Sequence, residues 1–162
     1  GVELVDLETL LAEADYISIH CSATEESRHL INADTLKLMK PTALLVNTAR
    51  GPIIDGDALA DALEAGTIEA AAIDVTEIEP VPSDSRLLQI PNCYVTPHIA
   101  GFSHVFLAET AVMQAENIIR VLTGEKPHGL ANPEVIKTVA VMRQGDGGRW
   151  AGIPDFSTAL QV

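Results

Sequence analysis

Cysteine is scarce: Cys21 and Cys93 are the only two in 162 residues, and their separation fits neither a metal-ligand nor a redox spacing. They read as reduced thiols of a cytoplasmic protein, although chain position alone leaves a bridge open. Aromatic residues make up only 4% of the chain, so its 47% hydrophobic content is mostly aliphatic, as the layers of an α/β protein require. Positive charge is scarce too, with 10 Lys and Arg against 23 Asp and Glu and a formal charge of −13. That balance argues against a nucleic-acid partner and against an anionic membrane surface. No apolar run approaches the roughly 20 residues that span a bilayer, and no basic-then-apolar signal segment opens the chain. Repeats and low-complexity tracts are absent. The chain opens Gly1-Val2-Glu3, without methionine and already strand-like, which is the expectation for a piece of something longer.

What is present fits one domain, able to bury about two-thirds of its extended surface. It is organised around residues 44–59, LLVNTARGPIIDGDAL. Leu44, Leu45 and Val46 form the continuous apolar run of a strand covered on both faces of a parallel sheet. Polar residues then take over, so Arg50 is presented beyond the strand's carboxyl end. Asp55 stands where a helix N-cap belongs, ahead of Leu59 and Leu63, and Gly66 closes that helix.

Other segments repeat the alternation. Val2 to Val5 reads as a weak strand, followed by a short helix whose Leu7, Leu10, Leu11 and Ala14 share one face. Tyr16 to His20 is the next strand. Asn32 caps a helix with Leu36 and Met39 inward, ended by Pro41. Ile68 to Val75 is an apolar strand whose small alanines suggest close approach by a helix or ligand. Residues 76–91 hold three prolines and form an irregular loop. Cys93 to Thr96 is the last strand. A helix from about Ser103 to Leu122 follows, with Phe106, Ala111, Met113, Ala115, Ile118, Ile119 and Leu122 on its buried side and Gly124 at its end. Residues 1–135 thus form the α/β part, a parallel sheet with flanking helices joined by right-handed crossovers. Residues 136–162, with Gly145, Gly147, Gly148 and a lone Trp150, read as a tail that is loosely held or extended.

Three polar groups follow three successive strands: Arg50, then Glu79 in DVTEIEP, then His98 in VTPHIAG. If the strands lie side by side, all three converge on the crevice beyond their carboxyl ends, where ligands bind in open α/β sheets. An arginine grips a carboxylate through its planar fork, and a histidine takes a proton from an alcohol as hydride leaves the carbon. A carboxylate beside that histidine favours the imidazolium and fixes the tautomer. The set suits oxidation of a 2-hydroxy acid, or reduction of a 2-oxo acid, beside a nicotinamide. Singly, each has an ordinary alternative. Arg50 can cap a turn, His98 can be a hydrogen-bonded loop residue, Glu79 a solvated acid and Asp74 a turn cap. The joint pattern carries the reading.

The segments LLAEADYISIHCSATEESRHLIN, MKPTALLVNTARGPIID, AAAIDVTEIEP and VTPHIAG, in that order over residues 7 to 101, resemble the carboxyl-terminal part of the NAD-binding domain of the D-isomer-specific 2-hydroxyacid dehydrogenases. NIIRVLTGEKPHGLANPEV resembles that family's closing helix. The resemblance implies an NAD-dependent oxidoreductase acting on a small 2-hydroxy or 2-oxo acid. It implies that Arg50 binds the substrate carboxylate, that His98 is the acid/base and that Glu79 is its partner. Asp74 would hold the nicotinamide carboxamide, while His20, Cys21, Thr48, Ala49, Arg50, His98, Ala100 and Gly101 would line the cofactor. No metal is implied. Ser22 departs from the proline common in the family and should loosen the adenosine-side turn.

The larger departures are the family's glycine-rich GxGxxG turn and ribose-binding acid, which should precede Gly1 and are not in this sequence. The implied fold is therefore a partial Rossmann-like sheet lacking the amino-terminal glycine-rich βαβ unit, with an exposed edge and apolar faces at Tyr16 to His20. A chain of this kind is expected to form a homo-oligomer, such as a dimer, or to complement a missing amino-terminal segment. A fragment of this kind is expected to be inactive alone. The alternative reading is a non-catalytic dinucleotide-sensing or protein-interaction module on the same scaffold.

Overall fold

The computed structural model describes residues 1–135 and 138. It divides into two units, Gly1–Gly101 and the chain from Phe102 onward. In the first unit four strands, β1 (Tyr16–Ile19), β2 (Leu44–Asn47), β3 (Ala70–Ile73) and β4 (Cys93–Val95), pair in the order β1-β2-β3-β4. All three pairings are parallel, with Ile17 opposite Leu45, Leu45 opposite Ala71 and Ala71 opposite Cys93. Parallel neighbours require crossovers: α2 (Ala33–Leu36) lies between β1 and β2 and α3 (Gly56–Glu64) between β2 and β3, while α1 (Leu7–Glu13) precedes β1.

The period of two along each strand sorts the sheet into unlike faces. Ile17, Ile19, Leu45, Ala71 and Ile73 join Leu11 of α1, Leu36 of α2 and Leu59 and Leu63 of α3 in one buried cluster. Burying a side chain of that size stabilises by about 1.5–3 kcal/mol. On the opposite face Leu44, Val46, Ala70 and Ala72 are only half-buried, and Tyr16 and Tyr94 are exposed. The expectation that the Leu44–Val46 run is covered on both faces is therefore corrected: one helical layer lies on one side, and an unbroken apolar run hides that asymmetry. Likewise, only one face of β1 is open, since Ile17 and Ile19 are buried, while its outer edge pairs with nothing among the described residues.

Local capping follows side-chain chemistry. Asp6 accepts from the Thr9 amide at 2.8 Å to start α1. Asn32 accepts from Asp34 and Thr35 amides while the Thr35 hydroxyl accepts from the Asn32 amide, a reciprocal cap at the head of α2. Asp55 accepts from the Ala58 amide at 3.1 Å to start α3. Gly66, at φ 68°, ends the α3 segment in the left-handed conformation that a Cβ disfavours.

Several expectations change. Residues 2–5 are not a strand: Val2 and Leu4 are each 95% exposed, and no strand among the described residues lies beside them to accept their hydrogen bonds. Leu10 points outward on α1, where Leu11 is the buried residue. The α2 helix stops at Leu36 and turns through to a buried Met39, so Pro41 lies beyond its end. In the second unit α4 (His104–Thr123) starts on Ser103 and closes at Gly124 as expected, with φ 83° at the glycine. Its supposed buried side is not buried, since Phe106, Met113, Ile118, Ile119 and Leu122 are exposed, as are Ala111 and Ala115. An apolar stripe is buried only where a second surface covers it, and no residue of α4 is buried. The expected tail at 136–162 falls outside the described residues apart from position 138. No helix among the described residues is long and apolar enough to cross a membrane.

Candidate active site

The carboxyl tips of β2, β3 and β4 are knotted together by two buried polar residues. Asn47, the last residue of β2, has no exposed surface. Its side-chain amide donates to the Arg50 carbonyl at 3.0 Å, and its side-chain oxygen accepts from the Ala49 amide at 3.0 Å. The Asn47 carbonyl accepts from the Asp74 amide at 3.0 Å, which ties the tip of β2 to the residue after β3. A buried amide satisfied on both sides is a rigid spacer, and this one sets the turn from which Arg50 projects.

Asp74, only 5% exposed, does the same for the loop after β4. Its carboxylate accepts from the Thr96 hydroxyl and from the amides of Ile99 and Ala100, both at 2.9 Å. The Asp74 carbonyl accepts from the His98 amide at 2.9 Å. Burial pulls this carboxyl up, but the bonds from Thr96, Ala100 and Ile99, with the charge of His98, outweigh it and hold the carboxyl below the usual aspartate range. The clamp keeps His98 at φ 55°, a left-handed conformation that a residue with a Cβ adopts only under constraint.

So held, His98 turns Nδ1 to Glu79, 2.8 Å from Oε2. The other carboxylate oxygen accepts from the Thr76 amide at 3.1 Å, and the Thr76 hydroxyl donates to the Ile78 carbonyl at 2.7 Å. The His98 hydrogen bond lowers the Glu79 carboxyl first, against partial desolvation, and the charges of His98 and Arg50 add to it. Arg50 therefore lies within electrostatic reach of the pair. Its guanidinium donates to the Ala49 carbonyl at 2.6 Å and makes no ion pair with a protein carboxylate among the described residues. Glu79, His98, Asp74, Thr96, Val95 and Pro80 line a cleft of about 440 Å³, with Arg50 outside that lining.

Of the other expected positions, His20 and Cys21 are exposed just past β1, and Thr48 is exposed just past β2. The His20 Nε2 bonds the Ser18 hydroxyl at 2.8 Å. Ala49 is half-buried in the turn, and Ala100 and Gly101 are exposed after β4. Both cysteines are free, and burial pushes the Cys93 thiol up to about 11. The turn at Ser22 is not loose, because the Ser27 hydroxyl donates to the Ser22 carbonyl at 2.7 Å and accepts from the Thr24 amide at 2.8 Å. Sequence reasoning missed Asn47, Thr96 and Gly51 as site-building residues. A carboxamide ending an apolar strand was the available signal for Asn47. For Gly51 there was none: a Cβ there would stand 2.0 Å from the Thr76 carbonyl oxygen and 2.6 Å from the Glu77 nitrogen, a long-range contact invisible in local pattern.

Parallel strands with polar groups gathered beyond their carboxyl ends define a Rossmann-like α/β domain of the dinucleotide-binding kind. The chain belongs to the D-isomer specific 2-hydroxyacid dehydrogenases: residues 1–100 match the family's NAD binding domain. It is 47% identical over 137 residues to a glyoxylate reductase of Korarchaeum cryptofilum, covering 85% of this chain and 41% of that protein. It is 44% identical over 132 residues to glyoxylate/hydroxypyruvate reductase B of Pectobacterium atrosepticum, with 82% and 41% covered. The crystal structure of D-lactate dehydrogenase with NAD+ from Lactobacillus jensenii superimposes with a TM-score of 0.70 at 32% identity, covering 76% of this chain and 41% of that one. The chain thus spans about two-fifths of the length of these relatives.

Proposed function

We propose that this chain carries the catalytic half of an NAD-dependent oxidoreductase that interconverts a small 2-hydroxy acid and its 2-oxo acid. The observation that carries the reading is the His98–Glu79 contact at 2.8 Å between the loops after β4 and β3, with the charge of Arg50, from the turn after β2, helping to lower the Glu79 carboxyl. Arg50, which has no carboxylate partner among the described residues, binds the substrate carboxylate through its fork. Because Glu79 occupies Nδ1, His98 presents Nε2 to the substrate, where it gives a proton to the carbonyl oxygen in reduction or takes one from the hydroxyl in oxidation. Glu79 fixes the tautomer and stabilises the imidazolium that oxidation produces. NAD, when bound, accepts or supplies the hydride.

The residues present suit the nicotinamide side of such a cofactor. His20, Cys21 and Thr48 are exposed just past β1 and β2, and Ala49, Arg50, Ala100 and Gly101 follow β2 and β4 at the same end of the sheet. Asp74 serves that side through the backbone it holds, and its carboxylate is the candidate acceptor for a carboxamide. The phosphate-binding glycine-rich turn is not in the sequence, so the isolated chain should bind NADH weakly at best. The reading also takes the unpaired edge of β1 as the place where a second copy, or a segment completing the sheet, joins.

The test joins this sequence to the amino-terminal portion of the Korarchaeum glyoxylate reductase and follows NADH oxidation with glyoxylate, hydroxypyruvate and pyruvate. His98→Asn should lower turnover by about 10²- to 10⁴-fold while calorimetry shows NADH binding intact. Unchanged turnover removes His98 from the mechanism. Retained NADH binding with no turnover in the parent protein favours the non-catalytic sensing module.

A further inference from the structure

The loop after β3 carries two carboxylates, two residues apart, and each meets a histidine. Glu79 faces His98, as described. Glu77 turns to the other side of the loop, where its Oε1 lies 2.7 Å from His29 Nε2. The same carboxylate is 3.7 Å from the Arg28 guanidinium, and its second oxygen is 3.5 Å from the Gly56 amide that opens α3. His29 is itself held. Its backbone is left-handed at φ 49°, its amide donates to the Pro52 carbonyl at 2.9 Å, and its carbonyl accepts from the Asn32 side chain at 2.9 Å. The Asp55 carboxylate stands 3.9 Å from its Nδ1. Both anchors of His29 therefore lie on the 50–55 segment or next to α2, not on the loop that it grips.

That loop is also pressed from beneath by Gly51, which approaches the Thr76–Glu77 peptide too closely to admit a Cβ. The turn bearing Arg50 and the loop bearing Glu79 are thus in backbone contact, and the His29–Glu77 contact fastens the loop just beyond the point of contact. Ile78, between the two carboxylates, is 66% exposed and adds little packing. The turn is fixed at its carboxylates and at Thr76.

We propose that Glu77 is a positioning residue, which through its contact with His29 seats the 76–79 loop against the Arg50 turn so that Glu79 meets His98. A half-exposed pair adds little stability, but it selects one loop placement, and a displacement near 1 Å between catalytic groups costs on the order of a hundredfold in rate. The proposal rests on the reading above only for what the His98–Glu79 pair does. Its geometry can be tested without catalysis.

The experiment labels the histidines of the whole chain with ¹⁵N and records the ring nitrogen resonances of His98 and His29, with Glu79→Gln as the reference for a broken pair. In the parent chain His98 should be held as the tautomer protonated on Nδ1, the donor to Glu79. Glu77→Ala should move the His98 ring signals in the direction that Glu79→Gln moves them, although Glu77 does not touch His98. Glu77→Gln, which still offers an acceptor to His29, should stay near the parent position. His29→Gln should reproduce the Glu77→Ala displacement, and combining the two should add nothing further. If Glu77→Ala loses amide dispersion, the His29→Gln arm carries the test. His98 signals that do not move, or displacements that simply add in the double variant, overturn the proposal. In the joined protein described above, Glu77→Ala should lower turnover about tenfold or more with NADH affinity unchanged. A moved ring without a turnover effect would count against the assigned role of the His98–Glu79 pair and leave the positioning intact.

Discussion

Asp74 and Glu79 stand five residues apart, and both carboxyls are held below their usual ranges, yet they belong to opposite kinds of region. Asp74 is nearly buried at the tip of β3, where its oxygens accept from one hydroxyl and two backbone amides of the next loop. Glu79 is half-exposed on a cleft wall and offers one oxygen to a single imidazole. The first arrangement resembles a structural clamp and the second a reactive pair. The difference teaches that a low carboxyl does not by itself mark a catalytic group: the partners decide, since backbone amides cannot change protonation and a histidine can.

The sharpest test of that contrast removes the clamp. Asp74→Ala leaves the Ile99 and Ala100 amides without their acceptor in a buried setting and frees His98 from its left-handed conformation. We expect a loss of about 2–5 kcal/mol in stability, read by urea unfolding of the chain. A cost near zero would mean that the 96–100 loop holds its shape without Asp74, and the comparison would collapse.

The contact between the Arg50 turn and the loop bearing Glu79 gives the next effect. Gly51→Ala drives a methyl into the Thr76 carbonyl, and no rotamer change relieves a backbone overlap. It should destabilise by about 1–3 kcal/mol and part the Arg50 turn from the Glu79 loop. Urea unfolding gives the first, and the loss of the Arg50 contribution, seen as a rise in the Glu79 titration midpoint, gives the second. An unchanged midpoint would mean that the two loops do not depend on each other.

What the sequence made legible follows from the range of the forces involved. The apolar strand segments, the Asn32 and Asp55 caps and the glycine stops at Gly66 and Gly124 are written in neighbours within a few residues, so local pattern suffices. The placing of Arg50, Glu79 and His98 after successive strands was legible because parallel topology converts order along the chain into adjacency in space. Leu44 and Val46 were misjudged because an apolar run cannot tell one covered face from two. Val2 and Leu4 carry a strand-like pattern but pair with no strand among the described residues. The α4 stripe shows the same limit, since a moment says which side would be buried and not whether anything buries it. Gly51 and the His29–Glu77 contact arise from residues that topology alone brings together, and no window along the chain contains them.

The smallest expected change is the one that gives the comparison its meaning. Glu79→Gln keeps shape and a hydrogen-bonding oxygen, and its half-exposed pair is screened by water, so stability should fall by less than about 1 kcal/mol. The same difference governs acid. Both carboxyls are lower in the folded chain than in the unfolded one, so each contributes stability that is fully present above its unfolded range and is lost as pH falls through its folded value. Replacing Glu79 should leave most of the acid-induced loss in place, because protonating Asp74 disturbs three hydrogen bonds in a buried setting, whereas the half-exposed Glu79 pair is screened by water. Urea midpoints followed downward through the carboxylate range in the parent and in Glu79→Gln test this directly. Two nearly parallel curves are expected, and a flattened curve for Glu79→Gln would make that carboxylate the structural clamp and reverse the roles.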